Sequence, residues 1–176
     1  TISDTVADPV FSAFVQRLWR DEIIPALTPP PGEDLAAYAD ALLDRYRNPA
    51  IRHRTWQIAM DGSQKLPQRI LGTIVEGRAA GRDVPGLILS VAAWMRYASG
   101  TDEQGGPIEV KDPLAAKLAA QWARDPARTV ANFLSLGQVF PPVLREDAAF
   151  VRDLTAALAG LVQKGARAMA AEPSDG

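Results

Sequence analysis

Three Asp-Pro pairs punctuate this chain: Asp8-Pro9, Asp112-Pro113 and Asp125-Pro126. Each is a helix start, with aspartate as the N-cap acceptor and proline at the first helical position, where its missing N–H costs nothing. After the first pair, Phe11, Phe14, Val15 and Leu18 fall at helical spacing and form one apolar stripe. Pro25 ends that segment near Ile24, and Thr28 to Gly32 (TPPPG) is a stiff, extended connector. No segment sustains the period-two alternation of a strand, and no βαβ unit or internal repeat is present. The pattern predicts an all-α fold of seven or eight helices.

The later segments follow the same logic. Glu33 and Asp34 open a helix whose buried face is expected to carry Leu35, Tyr38, Ala39, Leu42, Leu43 and Tyr46. Asn48-Pro49 ends it. Ile51 to Met60 is helix-compatible, and Asp61-Gly62 reads as a turn, its carboxylate expected on backbone N–H groups two residues on. Ser63 is a candidate cap for a further segment through Ile70, Leu71, Ile74 and Val75 to about Arg78. Gly77 and Gly81 are expected to bracket its end. Leu87 to Tyr97 has only Ser90 and Arg96 as strongly polar residues, which marks a central, buried helix. Ser99 to Asp112 is the longest loop. Leu114, Leu118 and Trp122 follow on one side of the next helix, and Val130, Phe133 and Leu134 mark a short one after it. A bend at FPPVL leads to a last helix carrying Phe150, Val151, Leu154, Leu158, Leu161 and Val162. The closing EPSDG reads as a fraying tail.

The 176 residues are about the size of one domain, and 47% hydrophobic content supports a core. The net charge of −2, with arginines interleaved among acids, offers no basic face for nucleic acid. With no cysteine and a single histidine, thiolate and histidine-rich metal sites are excluded. No apolar run approaches the roughly 18 residues of a membrane span, and no signal peptide is visible at the N-terminus. Together these features point to a cytoplasmic protein. Walker, GxSxG and HExxH motifs are absent.

Polar residues concentrate between Asn48 and Arg69. Lys65 follows the DGS turn, and its ammonium is either a solvated surface head or a grip on substrate oxygens. His53, four residues before Gln57, is either a structural hydrogen bonder or part of a polar wall with Gln57 and Lys65. Arg52 and Arg54 flank it, and one of them is a candidate for an anionic group. The four tryptophans are spaced as core or interface anchors.

The run RYRNPAIRHRTWQIAMDGSQKLPQRIL resembles the C-terminal domain of the mannitol dehydrogenase family, the polyol-specific long-chain dehydrogenases that include fructuronate and tagaturonate reductases. DPVFSAFVQRLWRDEI, PPGEDLAAYADALLDRY, VAAWMRY and IEVKDPLA resemble it in the same order, so the likeness spans nearly the whole chain. The resemblance implies a helical substrate-binding domain like that of 6-phosphogluconate dehydrogenase, covering residues 1–176 as a single domain. It implies an N-terminal Rossmann domain that binds NAD or NADP, and no metal. The family's general-base lysine, in a KxxxxNxxxH helix, is then expected upstream of Thr1. The chain begins without an initiator Met and is expected to be the C-terminal part of a larger enzyme, inactive alone. On the family pattern Lys65 contacts substrate oxygens. Mannitol-specific members resemble one another in carrying arginine where this chain has Gln57, which favours the hexuronate reductase branch. There Arg52, His53 or Arg54 would hold a sugar-acid carboxylate. A reading from another class is a stand-alone helical module that binds a partner through Leu87 to Tyr97 and the tryptophans.

Overall fold

A computed structural model describes residues 1–172. Among them there is no β-strand, only an isolated bridge between Thr101 and Pro107 inside the long loop. The expected all-α architecture is present. It is more finely divided than periodicity suggests, with twelve α-helical segments rather than seven or eight.

The division has local causes. Asp8 caps α2 (Pro9–Arg17) through its carboxylate on Val10 N, as the Asp-Pro pair predicts. Before it lies an unanticipated helix, α1 (Ile2–Ala7), held by a capping box between Thr1 and Asp4. After α2 the chain continues as a π-helical turn (Leu18–Ile23) and a short 3₁₀ turn (Ile24–Ala26), where Pro25 has no N–H to continue the ladder. Asp34 caps α3 (Leu35–Arg47), accepting from Ala36 and Ala37. Only Leu43 on its expected buried face is fully covered, and Tyr38 is 57% exposed, because α3 packs on α1 at the rim instead of on the core.

Residues 51–54 carry no regular secondary structure, with Arg54 extended, so the helix expected from Ile51 begins only with α4 (Thr55–Ala59). Next come α5 (Gly62–Leu66), a π turn (Pro67–Leu71) and α6 (Gly72–Ala79), which run on without a break. Pro67 would clash with the carbonyl four residues back in a regular helix; widening the turn to π geometry accommodates it. Gly81 ends this run at positive φ, while Gly77 lies inside α6, where Val84 leaves no room for a Cβ.

Helix α7 (Pro85–Ala98) is the buried axis that its composition predicts. It packs along α11 (Ala148–Lys164), and Val91, Ala92, Met95, Phe150, Leu154 and Leu158 share one core. Short helices α8 (Ala115–Ala119), α9 (Pro126–Leu134) and α10 (Pro142–Arg145) close it, with Phe133 and Phe140 fully buried. Val162 points outward at 48% exposure. Gly165, at φ 82°, stops α11 and starts α12 (Ala166–Ala171), a helix that the alanine-rich sequence does not announce. Of the expected tail, Pro173 to Gly176 lie outside the described residues.

Glu22, only 5% exposed, caps the start of α7: its two carboxylate oxygens accept from Gly86 N at 2.7 Å and Leu87 N at 2.8 Å. Burial pushes its carboxyl above the ordinary range, against the pull of those two N–H groups. A Cβ on residue 86 would stand 2.7 Å from the Glu22 carboxylate, so the close approach needs glycine.

Candidate functional site

The DGS turn works differently from the sequence expectation. Asp61, not Ser63, occupies the N-cap of α5, in the left-handed region at φ 56°. Its carboxylate makes no cap bond; its carbonyl accepts from Gln64 N and Lys65 N, each at 3.0 Å. Ser63 lies within the helix and is buried. Its N–H and Oγ donate to the Asp112 carboxylate at 2.8 and 2.6 Å. The same carboxylate accepts from Leu114 N, so the aspartate of the second Asp-Pro pair opens its own turn and pins α5 as well. Asp61 N donates to Lys111 O at 3.0 Å, and Trp56 Nε1 donates to Glu109 O at 2.7 Å. The Lys111 ammonium stands 4.4 Å over the Trp56 ring. The long Ser99 to Asp112 loop therefore clamps α4 and α5 in place.

Gly62 sits directly on the Trp94 indole, where any Cβ would fall 2.1 Å from Nε1. Trp94 is fixed from behind by Phe133, edge-on at 5.6 Å, and by Phe140. This contact seats α5 against α7 and leaves a cavity of about 400 Å³ between them. Ile58, Leu66, Ile70, Trp94 and Tyr97 line it, with Lys65 and Arg69 as its two cations. Lys65 Nζ has one long bond, 3.3 Å to the Ile58 carbonyl. Arg69 makes no hydrogen bond or ion pair among the described residues. The Tyr97 hydroxyl is buried, and that burial raises its pKa against an opposing pull from the Lys111 backbone. Ile58, at 43% exposure, stands at the edge.

Of the residues singled out from sequence, Lys65 lies in this cavity. Gln57, His53, Arg52 and Arg54 do not line it; all four are exposed on or just before α4. Gln57 Oε1 accepts from Arg54 N at 3.3 Å, which completes the start of α4. His53 precedes the helix, so the shared face with Gln57 is not formed; its carbonyl receives Ile2 N from α1. Arg69, Trp94 and Tyr97 are the cavity residues that sequence reasoning passed over. The four-residue step from Lys65 to Arg69 is the signal that was available for the first of them.

Residues 1–162 match the family described as the mannitol dehydrogenase C-terminal domain. The chain belongs to this family. Within it, the chain is 46% identical over 170 residues to the D-mannonate oxidoreductase of Escherichia coli, covering 95% of this chain and 35% of that protein. It is 35% identical over 171 residues to the mannitol 2-dehydrogenase of Phaeosphaeria nodorum, covering 97% and 29%. Among solved structures, the Pseudomonas fluorescens mannitol 2-dehydrogenase in ternary complex with NAD and D-mannitol superposes with a TM-score of 0.90 at 30% identity, over 96% of this chain and 34% of that one. This mannitol dehydrogenase-type domain thus spans about a third of the length of the curated relatives it matches. Among the described residues no group of histidines and carboxylates is placed to hold a metal, and no helix is long and apolar enough to cross a membrane.

Proposed function

We propose that this chain is the substrate-binding domain of a cytoplasmic, NAD(P)-dependent dehydrogenase that interconverts a hydroxyl and a keto group on a sugar acid or polyol, without a metal. On this reading residues 1–176 form one helical domain that works against a Rossmann domain of the same polypeptide. The observation that carries the proposal is Lys65: its ammonium stands at an open cavity with a single long bond to hold it, in the family's DGSxK motif.

The cavity suits a substrate better than a dinucleotide. A phosphate cradle needs glycines whose backbone N–H groups face the ligand. The one glycine on this cavity, Gly62, is packed against Trp94. The cofactor's phosphates are therefore assigned to the Rossmann domain, as is the lysine base. The residues of this chain bind and orient. Lys65 donates to substrate oxygens, and the apolar floor formed by Leu66, Ile70 and Trp94 keeps water from one side. Gln57, His53, Arg52 and Arg54 are assigned to the outer rim, toward the other domain.

Two features favour a sugar acid over mannitol: the glutamine at position 57, and the higher identity to a D-mannonate oxidoreductase than to a mannitol 2-dehydrogenase. The test is a steady-state assay of the full-length enzyme with NADH or NADPH and keto-sugar acids, set beside mannitol with the oxidised cofactors. A keto-sugar acid should be reduced with the higher kcat/KM. Failure to act on any member of either class overturns the proposal.

A further inference from the structure

We propose that Arg69, acting beside Lys65, is the residue that holds the substrate's carboxylate and so selects a sugar acid over a neutral sugar; this rests on the dehydrogenase reading above. Among the described residues Arg69 and Lys65 are the two cations on the cavity, four residues apart along α5 and its π turn. Arg69 itself lies in the π turn that begins at Pro67, which sets how its guanidinium is presented beside the ammonium.

Five arginines elsewhere are paired with acids. Arg78 is held by Asp147 and Asp153, Arg20 by Asp21, Arg47 by Asp44, Arg152 by Asp153 and Arg167 by Asp8. Arg69 has no such acid, and none lines its cavity. Its planar fork matches both oxygens of a carboxylate, which a lone ammonium cannot do. The wall beside it, formed by Ile58, Leu66, Ile70 and Trp94, is apolar, so Lys65 and Arg69 supply its charge. Arg52 and Arg54, exposed like Arg69, precede α4 and do not line the cavity. The ligand class is thus a chain with a terminal carboxylate, its hydroxyls left for Lys65.

The test compares the full-length wild-type enzyme with its Arg69→Met and Arg69→Lys variants. Each is assayed on a keto-sugar acid and on the neutral ketose of the same carbon skeleton. Wild type should prefer the acid, Arg69→Met should cut that preference in kcat/KM at least tenfold, chiefly through KM, and Arg69→Lys should keep part of it. Thermal melts of the variants should match wild type, since Arg69 makes no hydrogen bond or ion pair among the described residues. A wild-type enzyme that turns over ketose and acid equally well overturns the carboxylate assignment alone. One that acts on neither overturns the dehydrogenase reading with it. If wild type prefers the acid and Arg69→Met keeps the full preference, only the assignment to Arg69 falls.

Discussion

The Asp112 carboxylate holds Ser63 twice, at its backbone N–H and at its hydroxyl, across 49 residues of sequence. Through this pair the long loop fixes the first turn of the helix that carries Lys65. Asparagine at position 112 keeps one acceptor oxygen where three donors converge. Asp112→Asn should therefore lower stability by about 1–3 kcal/mol, read by denaturant melts. An unchanged midpoint would show that the loop does not clamp α5.

Gly62 and Gly72 make a matched pair. A methyl at position 62 collides with the Trp94 ring, whereas at position 72, also helical, it meets open space. Gly62→Ala should destabilise by about 1–3 kcal/mol through overpacking and shift the tryptophan emission. Gly72→Ala should stabilise by about 0.5–1 kcal/mol, because alanine loses less backbone freedom in a helix. Equal effects from the two variants would contradict the seating of α5 on Trp94.

Glu22 gives a pH signature. Its folded pKa is raised, so the folded state binds its proton more tightly than the unfolded chain does. Its contribution is fully present below the unfolded value of about 4.5 and is lost as pH rises through the higher folded value. The stability of wild type relative to Glu22→Gln should thus fall between about pH 4 and pH 7, by melts in matched buffers. Wild type gaining stability relative to the variant toward pH 7 would reverse the assigned direction.

Asp147 has the opposite sign. The Arg78 guanidinium, at 2.7 Å, holds its carboxyl below the usual range, helped by the N–H groups of Phe150 and Ala149. That stabilisation is present above the unfolded value of about 3.9 and is lost as pH falls through the lower folded value. Arg78→Met should weaken the fold at neutral pH and flatten its loss below about pH 4. A parallel acid profile in the variant would remove the pair from the account.

The helical class, the Asp-Pro caps at Asp8 and Asp125 and the buried α7 were legible because each rests on local chemistry: a side-chain acceptor, a missing N–H, an apolar run; Asp112-Pro113 opens only a turn, and α8 starts after Leu114. The ends of the fold were not. Helix α1 depends on a capping box at Thr1, and α12 on the Gly165 stop and the Glu103 carboxylate on Ala166 N at 2.6 Å, a bond made across 63 residues. The candidate site was half legible. The DGSQK motif gave Lys65, but its frame is non-local: Asp112 reaches Ser63 from the loop, and Trp94 meets Gly62 from α7. His53 drew notice as the lone histidine, yet the irregular backbone before α4 sets it outside the cavity.

The central claim is that this domain grips substrate through Lys65, and steady-state kinetics of Lys65→Ala in the full-length enzyme test it most directly. The fold should survive, since the side chain makes only the 3.3 Å bond to Ile58 O. The account predicts a raised KM and a kcat/KM lowered tenfold or more, a loss of about 1.4 kcal/mol or greater in transition-state binding. Wild-type kinetics in a folded Lys65→Ala enzyme would contradict it.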